Sequence, residues 1–206
     1  MTRHNIVFQS DSLCSRLKAR AKDSMTPAGY MAKHVATRPD WLKTDRVVDI
    51  YSVSNCVSDD FADYINCWKH NGYWLFDSPE TIREVAREVS VNLENTKLFY
   101  YELHEQEYDE EENSWIPFTP ELSFETQIHE PETKTLEGYD IVTFSVGTSP
   151  ECSPLSCNSL ASEIETNEHC LLSSFEKAKE LLEEGKFENS EPGPYIIFAV
   201  YSVEWP

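Results

Sequence analysis

Asn71-Gly72-Tyr73-Trp74-Leu75-Phe76-Asp77-Ser78-Pro79-Glu80 is the stretch that decides the fold. It is a polar corner, a short apolar run and a helix start in ten residues. A second string repeats its pattern at an offset of 96: Asn167-Glu168-His169-Cys170-Leu171-Leu172-Ser173-Ser174-Phe175-Glu176. Asp77 and Ser173 each stand three positions before a Glu, Glu80 and Glu176. That is capping-box spacing, in which a side-chain oxygen takes an orphan helix N–H and the Glu reaches back. Pro79 suits a first helical turn, where no N–H is required.

Amphipathic helices are expected downstream of both strings. Ile82, Val85, Ala86 and Val89 share one face, and so do Phe175, Ala178, Leu181 and Leu182. Gly185 is placed to end the second helix in the left-handed conformation. Each helix is followed by a β-branched and aromatic run that reads as a strand, residues 97–103 and 195–201. Upstream, Val47–Ser54 and Tyr139–Val146 also read as strands, each leading into a polar, cysteine-bearing loop.

The expected fold is therefore α+β. A mainly antiparallel or mixed sheet carries helices on one face, built from two pseudo-repeated β-loop-β-α-β units. The units span residues 46–104 and 138–204, joined by a linker at 105–137. Within that linker, Asp109-Glu110-Glu111-Glu112-Asn113-Ser114 reads as a solvated hairpin tip or loop. Residues 118–136 after it read as a connection with at most one edge strand, Ser123 to His129. Residues 1–45 read as a basic, partly helical N-terminal segment. Leu13, Leu17 and Ala21 follow helical spacing, Pro27-Ala28-Gly29 breaks it, and Tyr30–Val35 forms a second short helical piece.

The 206 residues carry 37 acids and 17 bases, a formal net charge of −20. Residues 1–45 hold eight of the bases and four of the acids, so that segment is +4 and the remainder −24. An acidic body repels nucleic-acid phosphate and attracts basic partners. DNA is not expected to bind it, and a basic protein is the expected partner. Asp59, Asp60, Glu110 and Glu111, with Trp68 and Trp115 as aromatic anchors beside polar loops, are the candidate contacts. Residues 1–25 lack an apolar h-region and no run reaches membrane-spanning length, so a cytoplasmic protein with reduced thiols is expected.

Chemistry is sought in the two cysteine loops. Residues 55–71 hold Cys56, Asp59, Asp60, Cys67, Trp68, His70 and Asn71. Residues 147–170 hold Glu151, Cys152, Cys157, Asn158, Asn167, His169 and Cys170. Cys157 and His169 form a candidate thiolate–imidazole pair for a small Cys/His-dependent enzyme. Cys152, Cys157, His169 and Cys170 are four N/S donors in a C-x4-C-x11-H-C order. Adjacent His and Cys fit one tetrahedral ion poorly, so no metal and no cofactor is expected. Neither H-E-x-x-H, the P-loop pattern nor G-x-G-x-x-G occurs, and six glycines leave little material for a phosphate cradle. The favoured expectation is a non-enzymatic interaction module such as an inhibitor, immunity-type or accessory factor.

Overall fold

The computed structural model describes residues 25–54, 56, 59–60, 70–120, 127–144 and 151–206. The expected helix at Leu13–Ala21, Cys67 and Trp68, and most of the expected strand Ser123–His129 lie outside them.

The fold is α+β. Its strands are β1 (Met25–His34), β2 (Ala36–Thr37), β3 (Asp49–Ile50), β4 (Asp59–Asp60), β5 (Lys97–Asp109), β6 (Ser114–Pro117), β7 (Thr135–Thr143) and β8 (Tyr195–Val203). Among the described residues, three short α-helices accompany them: α1 (Pro79–Val89), α2 (Pro154–Cys157) and α3 (Phe175–Glu183). The main sheet runs β4-β1-β5-β8-β7, antiparallel throughout, with β6 folded back on β5 as a hairpin. β2 and β3 make a separate two-stranded ladder.

β5 and β8 are central, and both sheet faces over them are covered. Residues Tyr195–Val200 are consequently all buried. A strand in that position reads as an unbroken apolar run with no alternation. Ile82, Val85 and Ala86 of α1 join Tyr30, Leu98 and Tyr100 in one core cluster. Phe175, Ala178, Leu181 and Leu182 of α3 join Ile141, Ile197 and Tyr195 in the other.

Both helices start one residue later than the capping-box spacing suggests. Ser78 Oγ accepts from Thr81 N at 3.2 Å, and Ser174 Oγ accepts from Lys177 N at 3.1 Å. Pro79 fixes this register in α1, because its locked φ places it at N1 and leaves Ser78 as the cap. Gly185 ends α3 at φ +68°, in the left-handed region as expected.

The first strand is not where its sequence suggests. Within Val47–Ser54 only Asp49–Ile50 pairs as a strand, with β2. The segment instead lies along residues 168–169, where Val48 N donates to Glu168 O at 2.8 Å and Tyr51 N to His169 O at 3.1 Å. The strand beside β5 is β1, so Tyr30–Val35 is not helical: Tyr30 pairs with Tyr100 and Ala32 with Leu98. Local helix propensity in Met31-Ala32-Lys33 yields to long-range pairing, as propensity commonly does.

Two corners are held by matching contacts. Asn71 Oδ1 accepts from Tyr73 N (2.9 Å) and Leu75 N (3.2 Å), while its Nδ2 donates to Ala28 O (2.8 Å). Asn167 Oδ1 accepts from His169 N (3.0 Å) and Leu171 N (3.0 Å), while its Nδ2 donates to Glu137 O (2.7 Å). Trp74 and Cys170, each three residues on, have φ of 58° and 63°. Bridges then join Phe76 to Tyr30 and Leu172 to Tyr139. Each corner presses on a bulge glycine. A Cβ on Gly29 (φ +129°) would sit 2.6 Å from Phe76 O, and one on Gly138 (φ +152°) 2.7 Å from Leu171 Cβ.

Candidate functional site

The cysteine loops meet, through residues their spacing did not single out. Cys56 Sγ lies 3.0 Å from Cys152 Sγ, and the sulfurs of Cys56, Cys152 and Cys157 all fall within 4.8 Å of one another. Cys56 is exposed, whereas Cys152 and Cys157 are half-buried.

The convergence has a polar origin. Asp140, on β7, is fully buried and gathers both loops: its Oδ2 accepts from Ser52 Oγ (2.6 Å) and Val53 N (3.1 Å), its Oδ1 from Ser153 Oγ (2.6 Å). From there Ser54 Oγ donates to Glu151 O at 2.5 Å and accepts from Cys56 N at 3.2 Å. Across the second loop, Thr143 N donates to Cys152 O (2.9 Å) and Cys157 N to Ser153 O (2.7 Å). Buried Lys33 of β1 donates to Val53 O (3.1 Å) and Ser54 O (2.8 Å) from beneath. A charge buried without such partners would be strongly destabilising.

The three thiols divide their protons unequally. Hydrogen bonding from Cys157, and then from Cys152 and Ser54, overcomes burial and brings Cys56 down to about 5. The hydrogen bond to Cys56, then burial, pushes Cys157 up. Burial, then the hydrogen bond to Cys56, raises Cys152 to about 12. Of the three, the exposed Cys56 gives up its proton most readily, and as a thiol it donates to Glu151 O at 3.0 Å. Asp140 is pushed up by burial, against the pull of its four hydrogen bonds.

The sequence-derived candidates are distributed differently. His169 stacks on Tyr51 at 3.9 Å, with its Nδ1 2.5 Å from Asp49 Oδ1. None of the contacts described for His169 joins it to Cys157, whose neighbours are Cys56, Cys152 and Ser156. Cys170 is buried elsewhere, its thiol raised to about 12 by burial and then by the charge of Asp140. The donors drawn together are thus Cys152 and Cys157 with Cys56, in place of His169 and Cys170.

Among the proposed partner contacts, Asp59 and Asp60 form the short edge strand β4, whose backbone pairs with that of His34 and Lys33. Glu111 is exposed at the hairpin tip, where its N–H donates to Asp109 Oδ1 at 2.9 Å. Glu110 turns inward, and its Oε1 accepts from Gly193 N at 3.1 Å. Trp115 packs edgewise on His104 and against Tyr108, and its Nε1 donates to Glu183 Oε1 at 2.9 Å. Between this hairpin and the end of α3 lies a cleft of about 150 Å³, lined by Glu110, Glu183, Glu184 and Glu188 with Tyr108 and Tyr195.

Ser52, Ser54, Ser153, Asp140 and Lys33 escaped sequence reading. Asp140 alone left a trace, as a lone charge in the apolar run Tyr139-Asp140-Ile141-Val142. Among the described residues, no helix is long and apolar enough to cross a membrane. No family model matches the chain, and neither does any curated protein or solved structure.

Proposed function

We propose that this protein is an acidic interaction module whose partner presents lysines or arginines to the cleft between the β5–β6 hairpin and the end of α3. The observation that carries the reading is where the acids stand. Glu183 and Glu184 lie at the C-terminal end of α3, and no basic residue occupies its last turn. A helix C-terminus carries partial negative charge, so acids there cost a few tenths of a kcal/mol or more each. Exposed Glu188 adds to them across the cleft. A cationic side chain entering the cleft relieves that repulsion.

The test is calorimetric titration with a lysine-only peptide at low and physiological salt. Binding should weaken as salt rises. Glu184→Gln with Glu188→Gln should weaken it by about tenfold, from two exposed charge pairs at about 0.7 kcal/mol each. Glu88→Gln with Glu94→Gln, exposed at and beyond the end of α1, should leave it unchanged. Equal losses in both double variants would mean diffuse attraction and no site. No binding at low salt would end the reading.

A second reading, a cysteine-dependent enzyme, draws on the lowered Cys56 thiol. It moves the nucleophile from Cys157 to Cys56 and leaves His169 with Asp49. Iodoacetamide labelling against pH would then mark Cys56 first, well below the range of an ordinary thiol.

We also read the core as two pseudo-repeats related by a twofold axis between β5 and β8. The matched Asn71 and Asn167 corners, the glycine bulges and the strand order β1-β5-β8-β7 support it. The first strand of the first copy is then β1, not Val47–Ser54.

A further inference from the structure

We propose that Cys56, Cys152 and Cys157 form a three-sulfur site for a thiophilic d10 cation, Zn2+ in particular, these three being the cysteine ligands that converge among the described residues. Three sulfurs within 4.8 Å of one another offer one face of a coordination tetrahedron. Zn–S bonds of about 2.3 Å in tetrahedral geometry set sulfur–sulfur edges of about 3.8 Å. The Cys56–Cys152 pair, at 3.0 Å, has to open by about 0.8 Å to meet that edge. Cys56 is the exposed member and provides that freedom.

The scaffold is held by protein contacts. Cys152 is anchored to β7 through Thr143, and Cys157 to the start of α2 through Ser153. Cys56 is tied by Ser54 to the carbonyl of Glu151, the residue before Cys152. Donors nearly a hundred residues apart are therefore brought together by the same contacts that bury Asp140 and Lys33. Such preorganisation lowers the cost of assembling the ligands.

The electrostatics favour a cation over three protonated thiols. The carboxylate of Glu191 adds negative potential at Cys56 and Cys152. A bound Zn2+ displaces the thiol protons to solvent and offsets two of the three thiolate charges. Thiolate sulfur selects soft ions over Mg2+ or Ca2+.

The experiment uses the full chain, reduced and stripped with chelator, then titrated with Co2+ as a coloured stand-in and displaced by Zn2+. One equivalent should develop sulfur-to-cobalt charge transfer, which Zn2+ abolishes. Cys56→Ser, Cys152→Ser and Cys157→Ser should each weaken Zn2+ by about 100-fold or more in chelator competition. Cys170→Ala should not. Because a variant can lose its fold, alkylation mapping of the unaltered protein is the second measurement. Zn2+ should protect Cys56, Cys152 and Cys157 together. Absence of charge transfer in the reduced protein, or no protection of these three, overturns the proposal. So does a Cys56–Cys152 disulfide that forms in air from a reduced protein unable to bind Zn2+.

Discussion

Replacing Asp140 tests whether one buried carboxyl holds the two cysteine loops together. Ser52 Oγ, Val53 N and Ser153 Oγ all donate to it, with the Ile141 N–H as a fourth donor. In Asp140→Ala the hydroxyls can turn to other acceptors, but the two backbone N–H groups cannot. Two fixed orphan donors at about 1–3 kcal/mol each give a loss of roughly 3–5 kcal/mol. Asp140→Asn keeps one acceptor oxygen and offers an amide in place of the other, much as a protonated carboxyl would. The folded-state value of Asp140 is raised, so the native state holds the proton more tightly than the unfolded chain. Stability from this group is therefore fully present below the usual value of 3.8 and falls as pH climbs toward the raised one. The slope is at most about 1.4 kcal/mol per pH unit. Urea unfolding of wild type and Asp140→Asn from pH 4 to 8 isolates this effect, because other carboxyls cancel in the difference. The Asn variant should gain on wild type as pH rises and then run parallel. Iodoacetamide rates at Cys56 should also fall in Asp140→Ala, as Ser52 and Ser153 lose their anchor. Parallel unfolding profiles across the whole range would refute the burial argument. An Asn variant that loses ground with rising pH would show instead that the hydrogen bonds outweigh burial.

Gly138→Ala forces a Cβ to within 2.7 Å of Leu171 Cβ and 2.8 Å of Leu172 O at φ +152°. It should cost clearly more than about 1 kcal/mol in urea unfolding. Ser174→Ala removes the acceptor for Lys177 N and should cost about 1 kcal/mol, visible as a lower denaturation midpoint at unchanged slope. Tyr100 is fully buried and, among the described residues, its hydroxyl has no hydrogen-bond partner. Tyr100→Phe should therefore be neutral or raise the midpoint, whereas a measurable loss would reveal a bonded hydroxyl.

Much of the architecture was legible where short-range rules decide it. The apolar faces of α1 and α3, the strands β5 and β8 and the acidic hairpin tip all follow from periodicity and turn chemistry. The cap positions were legible to within one residue, because Asp77 and Ser78, like Ser173 and Ser174, are competing acceptors next to the helix. β1 was not legible. Its burial is nearly continuous from Ala28 to Lys33, so no period of two marks it, and its partner lies some seventy residues away.

The sequence by itself determined where helices start, which faces they bury and that the body is acidic, since these depend on neighbours within a few positions. Only the tertiary structure decided which cysteines meet. Cys56 joins Cys152 and Cys157 because Asp140 needs donors that the local chain cannot supply and takes them from both loops. A buried charge is satisfied by whatever the fold brings to it, and spacing along the chain does not record that.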